Sequence, residues 1–577
     1  MNIFNEIKIE INKLSKFLYD YLPDQNALSI EFPKDPTHGD LSTNIAMVSC
    51  KDLKKSPIEI ANNFKLELAK LPYIDSISIA GPGFVNLTLK TYIWYDLVNQ
   101  IINLNTSYGD NNIGNNESIN IEFVSCNPTG PMHIGHCRGG IYGDTLANLM
   151  KKCGYKVTKE FYINDVGAQI STLADSAYLR YLEASGKNIG EIPEGLYPGD
   201  YLIPIGKKLF EFYGNELKSL DEIVRKEKTK EIAVSSMIEL IKKDLESLGI
   251  NHDIFFSEKQ LHSQNKISEI VNNLIARNIV YKGILPPPKG KANEDWQMRE
   301  QLLIRSTDFG DDVDRSLQKS NGEWTYAAAD IAYMQNKIAR GFNKITMVLG
   351  VDHLGYNKRM QAVAHALAGD KLDFQIKFCQ LVNFLKNGQP LKMSKRKGNF
   401  ISVQDVLDEV DKDLVRFMML TRRNDQVIDF DLEKVKEQSK DNPVFYVQYA
   451  NARINSILNN AFEQNPEFIK RINDKSYNLS FLNREEEIHL IKIIANWPKI
   501  VELSCLHQEP HRLAFYVIEL ASEFHSFWSK GNEDPTLRFI IADNFELSLA
   551  RLMLAKSVKI VIASALKIFN VKPVEKM

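Results

Sequence analysis

Only six cysteines are spread through 577 residues. Cys50, Cys126, Cys137, Cys153, Cys379 and Cys505 include no Cys-x-x-Cys pair, which argues against a disulfide framework and points to a reduced, cytoplasmic setting. Long apolar runs are also missing. No stretch of 18 uncharged apolar residues occurs, so no membrane span is expected. The first 22 residues mix acidic residues with lysine at helical spacing. They lack both the apolar run of a signal peptide and the acid-poor composition of a transit peptide. An excess of either charge is absent too: 71 Lys and Arg face 73 Asp and Glu, a net charge of −2. That balance excludes a generally cationic nucleic-acid coat and leaves room for local basic surfaces. Neither an internal repeat nor a long low-complexity tract is evident. With 44% hydrophobic and 25% charged residues, the composition is that of a globular chain long enough for three or four domains.

Residues 1–110 read as a separate α/β module that opens with an amphipathic helix, followed by an Asn- and Gly-rich linker at 105–117. Ile119, Ile121 and Phe123 alternate and predict a strand over about 118–124. A helix is expected from about Gly139 to Lys152, and a second strand over about 155–163 that ends in Asn164-Asp165. Together they form one βαβ unit of a parallel sheet. A later apolar strand, Ile345 to Val351, ends in Asp352-His353. Polar residues therefore gather after strand ends, where open α/β sheets build ligand sites. Residues 171–290 read as a mostly helical insertion. Strand signals vanish from about 405 onward, and 443–577 carry helical spacing throughout. Within that tail Pro498 interrupts a helical face and predicts a kink or boundary.

Two short motifs carry chemistry. His133-Ile134-Gly135-His136 sits on a Gly- and Pro-rich turn that opens a helix. Two imidazoles there can meet a triphosphate side by side, and a helix N-terminus adds oriented N–H groups. Gly135 is expected to leave room for a base or ribose. About 260 residues later comes Lys392-Met393-Ser394-Lys395, in a loop from Asn383 to Lys397 with five basic residues, no acid, and Gly388 and Gly398 as hinges. Such ammonium groups can clamp pyrophosphate in a transition state. Alone, each motif reads more simply as a turn or a solvated charge run. In this order and at this separation they point to attack of a carboxylate on the α-phosphate of ATP.

These residues resemble the class I aminoacyl-tRNA synthetases, whose signatures are His-Ile-Gly-His and Lys-Met-Ser-Lys. Glu122 lies near the end of the strand before the first motif, with Asn127 just beyond it. Tyr326 and Asp330 stand four apart on an alanine-rich helix. A permanently charged, five-donor guanidinium needs carboxylates and acceptors in fixed positions. With the segments at His38-Gly39-Asp40, Tyr197-Pro198-Gly199-Asp200-Tyr201 and Val444 to Arg453, the chain is similar almost throughout to the arginine-specific family. That resemblance implies a Rossmann-like catalytic domain over 111–385, a stem-contact region with the lysine loop over 386–440, and an all-α anticodon-binding bundle over 441–577. The N-terminal module would touch the tRNA elbow. Glu122, Asn127, Tyr326 and Asp330 would hold L-arginine. His133, Gly135, His136, Asp352, His353, Met393 and Lys395 would bind ATP, with His133, His136, Lys392 and Lys395 catalytic. The implied partners are tRNA(Arg), L-arginine and ATP. Mg²⁺ would ride on the phosphates rather than in a protein cage; no structural metal and a monomer are expected.

Alternatives remain open at this level. Cys126 before the first motif superficially suggests a cysteine-specific enzyme, whose thiolate site needs Zn²⁺ and further ligands. A non-catalytic tRNA-binding paralogue would have lost a motif residue, and a small nucleotidyltransferase would not need the helical tail. Glu122 could pair with Arg138 instead of a substrate. Tyr446, Tyr449, Phe527 and Trp528 could stack on unpaired bases, although core packing explains the last two more simply. The final 27 residues hold six Lys or Arg against Glu575 alone, a possible phosphate surface.

Overall fold

The computed structural model describes residues 2–285, 299–391 and 401–577, and the chain forms two compact units. The first comprises Met1–Asn111, Ser439–Ile568 and Lys572–Met577, so the N-terminal module and the helical tail fold together. The module contains α1 (Ile3–Tyr19), β1 (Ile30–Glu31), β2 (Leu41–Thr43), α2 (Ile45–Leu53), α3 (Pro57–Leu68), β3 (Ile74–Ala80), β4 (Phe84–Leu89) and α4 (Tyr92–Leu104). Its strands form an antiparallel sheet in the order β1-β2-β4-β3.

The second unit, Asn112–Gln438 with Phe569–Val571, begins with β5 (Ser118–Phe123), α5 (Gly135–Lys152), β6 (Lys156–Ile163) and α6 (Ala168–Ala184). Next come α7 (Ile203–Tyr213), α8 (Glu222–Ser247), β7 (Ile254–Ser257), α9 (Glu258–Ser263), α10 (Lys266–Ala276), β8 (Val280–Gly283), β9 (Gln301–Ile304) and β10 (Arg315–Ser316). Then follow α11 (Tyr326–Ala339), β11 (Lys344–Gly350), α12 (Asn357–Ala368), β12 (Asp373–Cys379), β13 (Val382–Lys386), β14 (Gln389–Pro390), α13 (Val403–Leu407), α14 (Lys412–Met419), β15 (Ile428–Asp431) and α15 (Leu432–Lys436). The main sheet is five-stranded in the order β12-β11-β5-β6-β7 and parallel throughout. Its strands all end on one edge, which is where α/β ligand sites form.

The region read as a mostly helical insertion differs in containing two strands: β7 is an edge strand of the main sheet, and β8 joins β9 and β10, which follow that region, in a small sheet. Four residues of β7, Ile-Phe-Phe-Ser, are too few to show a period between helices. Likewise β15 lies beyond residue 405, where no strand was expected, and pairs in parallel with β13. Its Ile-Asp-Phe-Asp alternation is only two repeats long. Helix α5 starts at Gly135 rather than near Gly139, so it includes the second motif histidine.

The alternation in β5 does not mark a half-exposed strand. Ile119, Asn120, Ile121, Glu122 and Phe123 are all buried, as expected for a central parallel strand covered on both faces. On one face Phe123 meets α5 so closely that a Cβ on Gly143 would lie 2.3 Å from its ring. On the other, Asn120 and Glu122 need polar partners. A buried charge cluster also joins α5, β6 and α14. Asp144 accepts from Lys159 at 2.9 Å and from Arg416 at 2.5 Å, and Arg416 also donates to the carbonyls of Leu248 and Phe569.

Helices α16 (Pro443–Gln464), α17 (Glu467–Asn473), α18 (Glu485–Ala495), α19 (Trp497–His507), α20 (His511–Glu533) and α21 (Phe545–Phe569) complete the chain. Pro498 sits in the first turn of α19, just after the break at Asn496. The indole N–H of Trp497 donates to the Tyr108 carbonyl at 3.0 Å, and Lys492 meets Asp40 at 2.5 Å. Phe527 is core, and Trp528 is half-buried against Phe539. The basic C-terminus is smaller as a surface than its composition implies, because Arg551 is buried and paired with Glu487 at 2.6 Å.

Asp144→Ala would strand two buried cations at once. A loss of about 3–5 kcal/mol in unfolding free energy is expected, measured by urea unfolding followed through the transition of this unit. A loss below about 1 kcal/mol would show that water or rearrangement replaces the carboxylate.

Candidate active site

The site residues collect beyond the carboxyl ends of β5, β6 and β11. After β5 the chain turns through Val124 and Ser125, both at positive φ, 70° and 36°. A β-branched residue there is strained. The turn is held by the Ser125 hydroxyl, which donates to Glu122 at 3.1 Å and accepts the Tyr162 N–H at 3.0 Å. Asn127 follows, exposed, donating to Gln169 at 3.0 Å. The carbonyl of Thr129 accepts from the Tyr201 hydroxyl at 2.8 Å.

The motif backbone is fixed from three sides. The Met132 N–H donates to Asp244 on α8 at 2.8 Å, the Ile134 N–H donates to the Ile401 carbonyl at 3.1 Å, and the Val403 N–H donates to the Met132 carbonyl at 3.0 Å. Burial pushes the Asp244 carboxyl up to about 6, partly offset by the Met132 N–H. The imidazoles of His133 and His136 stack with centroids 3.7 Å apart. The space beside Gly135, expected for a base or ribose, is occupied by His133 itself: a Cβ there would sit 2.9 Å from its Nδ1. The second motif, Lys392, Met393, Ser394 and Lys395, lies outside the described residues.

On the helix-facing side of the sheet, Glu122 accepts from Lys337 of α11 at 2.5 Å, both groups almost fully buried. Arg138 does not reach Glu122; it donates to backbone carbonyls elsewhere. Beside it, Glu160 accepts from Asn120, Tyr333 and Arg340 at 2.6–2.8 Å. Burial would raise the Glu160 carboxyl, but Arg340, Lys337 and Tyr333 together hold it below the usual range. One helical face of α11 thus supplies the cations for two carboxylates that are register partners on β5 and β6.

The same helix presents Tyr326 and Asp330. Tyr326 is exposed, and its hydroxyl lies over Gly167 at the start of α6. Asp330 has a side chain 19% exposed, accepts a hydrogen bond from the Tyr356 hydroxyl, and lies 3.9 Å from Arg359. Burial lifts its carboxyl to about 6, against the pull of Tyr356 and Arg359. Asp352 and His353 stand exposed in the turn after β11, 3.5 Å apart.

Glu258, at the start of α9 after β7, was not anticipated from sequence. It is buried, bonded to Tyr162, and 3.6 Å from His262. Burial raises its carboxyl despite those contacts. Tyr162 feels the charges of Glu258, Asp330 and Glu122 together. A carboxylate at a strand end was the available signal, hidden because β7 itself was not legible. No group of three or more His, Cys, Asp or Glu able to hold a metal ion occurs among the described residues.

Comparison with known proteins adds three matches along the chain. Residues 97–462 match the class I tRNA synthetase (R) catalytic domain, residues 1–89 the arginyl-tRNA synthetase N-terminal domain, and residues 447–577 the DALR anticodon-binding domain. The chain belongs to the arginyl-tRNA synthetase family. It is 51% identical over 577 residues, the full length of both chains, to the arginine–tRNA ligases of Rickettsia felis and of Rickettsia prowazekii. The arginyl-tRNA synthetase fold is reproduced at TM-score 0.74 by the Thermus thermophilus arginyl-tRNA synthetase structure. That match is 18% identical and covers 99% of this chain and 100% of the other.

Within this arginyl-tRNA synthetase fold, the Lys337–Glu122 pair is open to test. Lys337→Met leaves a buried carboxylate without its ion-pair partner and should destabilise the unit by about 3–5 kcal/mol. Adding Glu122→Gln should recover part of that loss in a double-mutant cycle followed by thermal unfolding. Strict additivity would mean that the two groups do not depend on each other.

Proposed function

We propose that the chain ligates L-arginine to tRNA(Arg) at the expense of ATP, as a cytoplasmic monomer serving protein synthesis. The full-length likeness to arginine–tRNA ligases supports this reading. The observation that carries the choice of amino acid is the charge balance around α11. Among the described residues, the permanent cations paired with Glu122, Glu160, Asp330 and Glu258 are Lys337, Arg340 and Arg359. Two of those carboxyls, Asp330 and Glu258, are raised by burial that their neighbours do not offset. A bound guanidinium supplies the missing positive charge and has the donors to meet more than one acceptor. A thiol substrate would leave that excess in place, so the cysteine-specific alternative loses its ground.

In the proposed reaction Asp330 and Glu122 face the guanidinium, and Asn127 and Tyr326 position the rest of the amino acid. The arginine carboxylate attacks the α-phosphorus of ATP; the bond from that phosphorus to the pyrophosphate oxygen breaks, leaving arginyl-adenylate. His133 and His136, with Gly135 between them, stabilise charge on the phosphates. Asp352 and His353 face the nucleoside, and Lys392, Met393 and Lys395 act on departing pyrophosphate. Mg²⁺ travels with ATP as part of the substrate. The terminal ribose 2′-hydroxyl of tRNA then attacks the activated carbonyl, and AMP leaves.

Two outcomes are expected. Aminoacylation of purified tRNAs with a panel of amino acids should yield arginyl-tRNA alone; charging of cysteine, or of nothing, would end this reading. The arginine KM should also depend on pH. The Asp330 carboxyl, at about 6 against an ordinary 3.8, is ionised above that pH and neutral below it. Arginine binding should therefore weaken as pH falls through 6, by up to roughly tenfold per unit. Asp330→Asn should raise the KM and flatten that dependence, whereas a flat KM in the unmodified enzyme would remove Asp330 from the pocket.

A further inference from the structure

Arg138 stands two residues after the motif histidine His136, on α5, and is almost fully buried. Among the described residues it has no carboxylate partner at hydrogen-bond distance. Instead its guanidinium donates to four backbone carbonyls: Gln380 at 3.0 Å, Leu381 at 3.4 Å, Arg423 at 2.6 Å and Gln426 at 2.5 Å. Burial lowers its pKa, the expected cost of a desolvated cation.

The four carbonyls share a place in the fold. Gln380 and Leu381 link β12, the edge strand of the main sheet, to β13, the central strand of a separate β14-β13-β15 sheet. Arg423 and Gln426 lie in the turn leading into β15, which pairs with β13. The two segments are joined to each other as well: the Gln380 N–H donates to the Asn424 carbonyl at 2.7 Å, and the Ile428 N–H donates to Leu381 at 3.3 Å. One side chain of the first motif's helix thus fills the corner where the chain leaves the main sheet for the strands that run on toward Lys392–Lys395.

We propose that Arg138 is a positioning residue for adenylate formation, fixing the helix of His133 and His136 against the junction between the main sheet and the β13–β15 pair. It acts through backbone geometry and touches no reacting atom, and it rests on the reading that the two histidines serve ATP. Two nitrogens of one rigid plane serve this corner: Nη1 faces the carbonyls of Gln380, Leu381 and Gln426, and Nη2 faces that of Arg423, whereas an ammonium has a single nitrogen to offer. A neutral side chain would leave buried carbonyls without a donor. The pairing of Met132 and Ile134 with Val403 and Ile401 is the second seam between the same parts. With the corner loosened, that seam would have to hold the register alone.

The test uses the full chain with tRNA(Arg), as Arg138→Met and Arg138→Lys, with His136→Asn alongside. In ATP–pyrophosphate exchange both Arg138 variants should lose about 100-fold in kcat, the scale of a misplacement near 1 Å, while the arginine KM stays within about twofold. Hydrogen exchange should quicken at the amides of Ile134, Val403 and Ile428, with β5 and α11 still protected. A kcat within about threefold of the unmodified enzyme, or unchanged exchange at those amides, would overturn the proposal. So would a loss of protection spread over the whole unit, because that marks a purely structural residue. Should Arg138→Met fail to fold, Arg138→Lys, which keeps the charge, decides by the same readings. If His136→Asn exchanges pyrophosphate at full rate, the ATP reading fails, and the amide arm alone decides whether Arg138 holds the corner.

Discussion

The buried polar layer between β5, β6 and α11 is the constraint on which the catalytic unit is built. A central parallel strand ordinarily presents apolar side chains to both covering layers. Here one face of β5 carries Asn120 and Glu122, and the register of β6 sets Glu160 beside Glu122. Two adjacent carboxylates cannot be buried together without compensation. Helix α11 supplies it at a fixed spacing: Tyr333, Lys337 and Arg340 fall on one helical face and reach these acids. Because the same helix carries Asp330 one turn earlier, the ion pairs that hold α11 to the sheet also fix where Asp330 stands.

The ATP-facing side is arranged differently. Among the described residues the motif backbone is held by hydrogen bonds between Met132 and Asp244, Ile134 and Ile401, and Met132 and Val403. On α5, Gly143 lets the helix rest on Phe123, and Gly140 has Val124 and Ile250 as its nearest neighbours. The connecting turn at Val124 and Ser125 has left-handed backbone, and Ser125 holds it by bridging Glu122 and Tyr162. The polar layer under α11 and the turn that leads to the His133–His136 motif therefore share one residue pair, Glu122 and Ser125, three positions apart.

Much of this was legible in the sequence because local period and local chemistry agree there. The strands at 118–123, 156–163 and 344–350 are long enough to show their pattern, and motif residues follow two of them. What escaped detection was short or depended on distant partners. β7 and β15 have four residues each, too few for a period to stand out. Glu258 became visible as a site residue only once β7 joined the sheet. The ion pair of Glu122 is with Lys337, 215 positions away, and sequence spacing offered only the nearer Arg138. The basic count of the C-terminus misled for a related reason, since composition does not register that Arg551 is spent on Glu487 inside the bundle.

The two roles of arginine side chains in this unit show what the protein asks of its substrate. Arg416 and Arg138 are both buried, and both spread their donors over backbone carbonyls. Arg416 has the carboxylate of Asp144 as well, whereas Arg138 makes its hydrogen bonds to carbonyls, with Asp425 acting on it only through its charge. A guanidinium can therefore be buried here either as a counter-ion or as a hydrogen-bond hub. Around α11 the situation is reversed: burial raises the Asp330 and Glu258 carboxyls beyond what their described neighbours offset. Filling that place with another protein side chain would have stabilised the fold more cheaply. Leaving Asp330 and Glu258 undercompensated costs folding stability above their pKa values, a cost that an external guanidinium would offset under the proposed function.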